Sequence, residues 1–288
     1  MNAINELKNN TDVFLLIAGI FGLIIGSFIN VVIYRLPIML KNSWQKECEN
    51  FLEKKTAPTK IFNLFYPRSH CPKCDHLIPL WYNIPLLSYL ILKGKCKNCQ
   101  AKISRRYPLV ELLSAATAIW IAYIYGWSIE TGALLILTWS LIAMVFIDFE
   151  HQLIPDSITL PLLWMGLLLN TRGFFVPPET AIIGAICGYM IPWVIANLFK
   201  LVRKIDGMGY GDFKLFALFG AWFGWQILLL TIMLSALLGS IVGIILILCK
   251  KHKFQQELPF GPYIALVGWI NIFYGQQLLN WYIKILGI

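Results

Sequence analysis

From Val13 to Ile33 the chain runs 21 residues without a charge, and comparable apolar stretches recur to its end. A helix rises about 1.5 Å per residue, so roughly 17–25 apolar residues span a hydrocarbon layer of about 30 Å. A soluble core does not call for this repetition. Of the 288 residues 58% are hydrophobic and 14% charged, against about 45–50% and 25% in soluble domains. The expected fold class is therefore an all-α polytopic membrane protein. Eight spans are expected, at 13–34, 107–125, 131–147, 157–171, 179–199, 213–229, 231–249 and 262–285. The first run lacks a basic flank before it and a small-residue cleavage site after it, so it reads as a retained span.

Basic residues favour the cytoplasmic side of a membrane, and their distribution sets the expected orientation. The 35–106 segment carries 14 lysines and arginines against four acids. Lys200, Arg203, Lys204, Lys214, Lys250, Lys251 and Lys253 fall on the same side, and only Lys8, Arg172 and Lys284 fall opposite. Both termini are then expected outside, with the 35–106 segment in the cytoplasm. The net charge of +9 reads as a topology signal that also favours contact with anionic lipid headgroups. Nucleic acid is not an expected partner.

The sequence divides into a first span at 1–34, a polar segment at 35–106 and seven further spans at 107–288. The polar segment holds six prolines, among them Pro37 and Pro58, and shows no sustained helical periodicity. So short and polar a stretch folds weakly without a staple. Cys71 and Cys74, then Cys96 and Cys99, form two Cys-x-x-Cys pairs separated by 21 residues. That pattern reads as a tetrahedral zinc site, structural because four thiolates leave no open position. Disulfide or redox pairing and unligated cysteines are the alternatives, the first disfavoured in a reducing compartment. His70 and His76 flank the first pair, as substitute ligands or as solvated loop residues. Cys48, Cys187 and Cys249 have no partner in spacing.

In the first span Gly22, Gly26 and Asn30 recur every four residues and share one helical face. Small residues at that spacing allow close helix packing in lipid. A ligand role for Ser27, Asn30 or Arg35 at the cytoplasmic edge is the alternative.

Two acids mark the same depth. Asp148 follows directly on the third apolar run, and Asp212 ends the stretch "GMGYGD" at the start of the sixth. A carboxylate at the edge of a hydrocarbon layer costs a few kcal/mol. Two such groups brought together do not both ionise readily, so one holds a proton while the other acts as base on water. Glycines before Asp212 leave room for an extended peptide beside the carboxylate. The competing reading makes Asp212 a helix cap, as is expected of Asp156 at the fourth span.

Across the chain, "GSFINVVIYRLP" at 26–37, the two Cys-x-x-Cys pairs, "RRYPLVELL" at 105–113, "IDFEHQLIPDSITLPLLW" at 147–164, "GMGYGDFKL" at 207–215 and "PFGP" at 259–262 resemble the type IV prepilin peptidase family. The resemblance implies a bacterial inner-membrane aspartic protease of the Gly-x-Gly-Asp class, with Asp148 and Asp212 catalytic. It implies cleavage of the basic leader from type IV prepilins or type II secretion pseudopilins. Methylation of the new N-terminal residue with S-adenosylmethionine follows in the long, bifunctional form that this chain resembles. The resemblance associates methylation with the first span and the polar segment, which makes Asn30, Arg35, Gly94 and Glu111 candidate methyl-donor residues. A peptidase without methyltransferase activity and an ion-coupled transporter are the rival readings; a transporter fold usually shows related halves, and no such repeat is visible.

Overall fold

The computed structural model describes residues 10–53, 62–79, 84–205, 207–249 and 258–286. Lys8, Lys54, Lys55, Lys60, Lys250, Lys251 and Lys253, which enter the charge distribution, and Pro58 lie outside the described residues. The helices are α1 (Thr11–Phe51), α2 (Leu87–Ile91), α3 (Arg106–Tyr125), α4 (Ile129–His151), α5 (Asp156–Asn170), α6 (Pro178–Arg203), α7 (Tyr210–Phe223), α8 (Leu228–Leu248) and α9 (Gly261–Leu286). Among the described residues there is no strand, only isolated bridges pairing His70 with Leu77 and Lys95 with Lys102. Among the described residues five helices, α1, α3, α4, α6 and α8, are long and apolar enough to cross a membrane. The protein is a multi-pass helical membrane protein.

Two compact units divide the chain, Met1–Ala143 and Met144–Ile288. In the first, α1 lies along α3. A β-carbon on Gly22 would come within 2.7 Å of Ala115 Cα, and one on Gly26 within 2.7 Å of Glu111 Cα. The small-residue face therefore permits backbone-to-backbone approach, which is how helices associate where lipid supplies no hydrophobic drive. Trp139 of α4 donates its indole N–H to Ser114 O at 3.2 Å.

Helix α1 does not stop at the expected end of the first span. It continues to Phe51, 41 residues in all with Pro37 inside, about 61 Å at the helical rise. Beyond Pro37 the chain reads IMLKNSWQKE, mostly good helix formers. Side-chain bonds from Ser43 to Glu47 at 3.3 Å and from Gln45 to Glu49 at 2.8 Å support successive turns. These polar i, i+4 pairs are why the extension escapes an apolar-periodicity reading.

The second unit is built around α7, eleven of whose fourteen residues are buried, with Phe216, Leu218 and Trp222 fully enclosed. Helix α5 lies beside it and runs parallel. At one end Lys214 of α7 donates to both carboxylate oxygens of Asp156 at 2.7 Å. At the other, the Asn170 amide donates to Ala221 O at 2.9 Å and Trp222 O at 3.0 Å. Asp156 thus opens α5 as an ion-pair partner, and the cap position belongs to Pro155. The expected span at 213–229 is also displaced: α7 ends at Phe223, Gly224 takes φ +84°, and α8 begins at Leu228. The residues after the break are mainly apolar, so hydropathy runs through a turn set by a left-handed dihedral.

Candidate active site and metal centre

Asp148 sits in the last turn of α4, inside the helix and not just after it. Only four residues separate α4 from α5, so Asp148 lies at the end of the unit where α5 and α7 begin. Asp212 is the third residue of α7. Both aspartates are buried, at 5% and 7% exposure, and Ile154 stands between Gly211, the neighbour of Asp212, and Gly261, which lies against the Asp148 carboxyl. The sequence places two acids at one depth; the structure brings them together where α4, α7 and α9 meet.

Their surroundings differ. The Asp212 Oδ2 accepts the Gly209 backbone N–H at 3.2 Å, satisfying one of the donors that a helix start leaves open. The capping reading is therefore present in the geometry and occupies one oxygen of that carboxylate. Asp148 faces the backbone N–H of Gly261 at the start of α9. Its Oδ2 is buried without a hydrogen-bond partner in the structure. An unpaired buried carboxylate oxygen is expensive, and such exceptions collect where a substrate, a water or a proton completes the site.

Two glycines and an isoleucine line this site, and none of the three has a role of its own in the sequence reading. A β-carbon on Gly211 would lie 2.8 Å from Ile154 Cβ, and one on Gly261 would lie 2.7 Å from Asp148 Oδ2 and 2.9 Å from Ile154 Cδ1. Gly211 was legible only as part of the glycine-rich approach to Asp212, and Gly261 only inside the "PFGP" motif. Ile154 carries no chemical signal at all.

In the first unit the four cysteine sulfurs of Cys71, Cys74, Cys96 and Cys99 lie within 4.8 Å of one another. Cys71 and Cys99 are 3.8 Å apart, the edge of a tetrahedron whose metal–sulfur bonds are about 2.3 Å. The two loops repeat one geometry. Cys71 N–H bonds to His76 O, and Cys96 N–H to Ala101 O; Asp75 N–H returns to Cys71 O, and Gln100 N–H to Cys96 O. Asp75 and Gln100, each following the second cysteine of its pair, take φ +52° and +57°. Backbone N–H groups of Cys99 and Asn98 push the Cys96 thiol down to about 7. The His76 N–H and the Asn98 amide lower that of Cys74. Against the pull of the Ala101 N–H, desolvation and the neighbouring sulfurs push Cys99 up to about 11. Four adjoining thiols cannot all give up their protons to each other's charge, but a cation at their centre removes that conflict. The cluster is fit to hold a metal ion. His70 bonds instead to Arg68 O at 3.0 Å, and no histidine belongs to the cluster among the described residues.

The candidate methyl-donor residues fall on polar contacts of the same unit. Asn30 is buried and donates to Gly26 O at 3.2 Å and Tyr107 O at 3.1 Å, while its Oδ1 is left without a partner. Arg35 donates to Asn63 O at 2.9 Å and Pro67 O at 2.6 Å. Glu111 accepts the Leu86 N–H at 2.9 Å and bonds to Ser27. Asn30 and Glu111 thus share the α1–α3 face, and Arg35 ties α1 to the 62–67 segment. Gly94 lies elsewhere, at φ +67°, where a β-carbon would meet the Tyr89 hydroxyl at 2.9 Å.

Comparison with known proteins draws both units together. Residues 20–125 match the Bacterial Peptidase A24 N-terminal domain, and residues 135–244 match the Type IV leader peptidase family. A Prepilin leader peptidase/N-methyltransferase of Stutzerimonas stutzeri is 48% identical over 285 residues, covering 99% of each chain. The protein of that name from Pseudomonas aeruginosa is 46% identical over 288 residues, covering 100% of this chain and 99% of its own. That from Aeromonas salmonicida is 50% identical over 270 residues, covering 92% of each. The chain belongs to the type IV leader peptidase family. No solved structure matches it. Within a leader peptidase the buried acid pair and the cysteine cluster fall in different compact units, which gives each its own local scaffold.

Proposed function

We propose that this leader peptidase cleaves the basic leader from type IV prepilins or type II secretion pseudopilins and then N-methylates the new N-terminal residue. The observation that carries the reading is the buried pair of Asp148 and Asp212, on separate helices, with Asp148 Oδ2 lacking a partner. Two carboxylates at close range share a proton. The ionised member takes a proton from water as that water attacks the scissile carbonyl, and the protonated member gives its proton to the leaving amine. The asymmetry of their contacts separates the two roles. Asp212 is held by the Gly209 N–H, whereas Asp148 keeps an oxygen free for the attacking group.

The basic-residue distribution supports a reading with this end of the second unit at the cytoplasmic face and both termini outside, and the membrane proposed is the bacterial inner membrane. A pair at that boundary meets a substrate where its apolar helix passes into the polar leader, without drawing the helix out of lipid. Zinc is the metal proposed for Cys71, Cys74, Cys96 and Cys99; with four thiolate ligands it ties the two loops and is structural. The methyl donor is S-adenosylmethionine, which when bound supplies an electrophilic methyl group to the free amine. Asn30, Arg35, Gly94 and Glu111 are proposed for that half of the activity. Arg35 and Glu111 serve by holding the 62–67 segment and Leu86 in place, and Asn30 Oδ1 offers an unused acceptor.

The deciding experiment is cleavage of a synthetic prepilin by purified variants. Asn at position 212 keeps an oxygen for the Gly209 N–H, so Asp212→Asn removes the charge and spares the cap. Asp148→Asn and Asp212→Asn each abolish cleavage, the double variant is no worse than either, and all three accumulate in the membrane. Asp156→Asn retains substantial activity. Normal cleavage by well-expressed Asp212→Asn returns that residue to a cap and removes the protease reading.

A further inference from the structure

We propose that Ile154 is a positioning residue, a wedge between the N-terminal ends of α7 and α9 that sets the spacing of Asp148 and Asp212. The inference rests on the reading of those two aspartates as the cleaving pair. Two glycines converge on this side chain. Its Cβ occupies the place a Gly211 side chain would take, 2.8 Å from that β-carbon, and its Cγ1 and Cδ1 lie 3.4 Å from the same point. The same Cδ1 lies 2.9 Å from where a Gly261 β-carbon would stand. Gly211 immediately precedes Asp212, and Gly261 lies against the Asp148 carboxyl. One branched side chain therefore fills the gap that two missing side chains leave, with a catalytic carboxylate beside each glycine.

Ile154 is also held so that it cannot retreat. Pro155 follows it and confines its backbone to extended conformations, and Pro155 is itself buried as the cap residue of α5. Two residues on, Asp156 is bound through both oxygens to Lys214 of α7. A stiff β-branched side chain on a pinned segment keeps a fixed volume between α7 and α9. Without it the two glycine-bearing ends are free to close, and both carboxylates shift with them. A misplacement of about 1 Å in a reacting group costs on the order of a hundredfold in rate.

The test uses the full-length enzyme with Ile154→Ala and Ile154→Val, and Asp212→Asn in parallel. Cleavage of a synthetic prepilin is measured for kcat and KM, with thermal unfolding in detergent as control. Ile154→Val keeps Cβ and Cγ1 facing Gly211 and loses Cδ1, the atom that lies near both glycines, so its kcat falls by about tenfold; Ile154→Ala loses about a hundredfold. KM changes by less than about twofold in both, because the wedge acts on the reacting groups and not on the leader. Wild-type kcat in Ile154→Ala, or a rise in KM alone, overturns the wedge. Should Ile154→Ala not accumulate, Ile154→Val decides alone: a wild-type kcat there also overturns it. Full activity in Asp212→Asn removes the underlying reading of the site, whereas an inactive Asp212→Asn beside a fully active Ile154→Ala removes only the wedge.

Discussion

Asp148, Asp156 and Asp212 gather at one end of the second unit and differ in what their oxygens touch. Asp156 is half exposed and fully paired with Lys214, an arrangement worth at most about 1 kcal/mol in solvent. Asp212 gives one oxygen to a backbone donor, and Asp148 keeps one with no partner. The chemistry therefore depends on what crowds Asp148, and Gly261 lies against its carboxyl. Adding a single methyl group there places it 2.7 Å from the Asp148 Oδ2, inside van der Waals contact, with Ile154 closing the other side. Gly261→Ala is expected to turn the Asp148 carboxyl aside and lower kcat for leader cleavage by about a hundredfold. Zinc content and methylation of a precleaved substrate are expected to stay unchanged, because the residues proposed for both lie in the other unit. Cleavage at the wild-type rate in this variant would show that Asp148 does not depend on that vacancy.

The elements that carry these residues are shaped by their ends. Helices α5 and α7 have 15 and 14 residues, about 22 and 21 Å long, short of a hydrocarbon layer of about 30 Å. An ion pair at one end and the Asn170 amide at the other fix them side by side at one depth. The two cysteine loops are a second case of position set by backbone bonds, with left-handed Asp75 and Gln100 turning each loop back on its sulfurs. Purified protein is expected to carry about one zinc per chain, and Cys71→Ser or Cys96→Ser to lose it while the membrane helices persist. Stoichiometric zinc retained in both variants would remove the four-cysteine site. The cysteine spacing and the two aspartates were legible because each residue type announces its chemistry and the apolar runs fix depth. What the sequence hid is of another kind. The break at Gly224 lies in a dihedral angle within apolar residues, and the extension of α1 to Phe51 lies in polar i, i+4 pairs. The roles of Gly211, Gly261 and Ile154 lie in atoms that are absent and in contacts between segments more than fifty residues apart.

For the molecule as a whole, orientation decides whether the acid pair faces the compartment in which a leader is made. Of the 24 lysines and arginines, 21 fall on the side assigned to the cytoplasm, and that assignment carries Asp148, Asp212 and the cysteine loops with it. The structure supplies reporters for both faces. Cys48 is exposed on the extension of α1 beyond Pro37. Arg172 is exposed in the turn after α5, at the end of the α5–α7 pair opposite Asp156 and Lys214. In a chain with Cys187 and Cys249 replaced by alanine, a membrane-impermeant maleimide added to sealed cells is expected to leave Cys48 unlabelled until the membrane is opened. In the same background with Cys48 also replaced, Arg172→Cys is expected to label from outside. The two positions test the assignment separately in each unit, Cys48 through the polar extension of α1 and Arg172 through the end of the α5–α7 pair away from Asp156 and Lys214. Labelling of Cys48 from outside, with Arg172→Cys protected, would invert the chain. The acid pair would then face away from the cytoplasm, and the sign of the basic-residue distribution would need a cause other than topology.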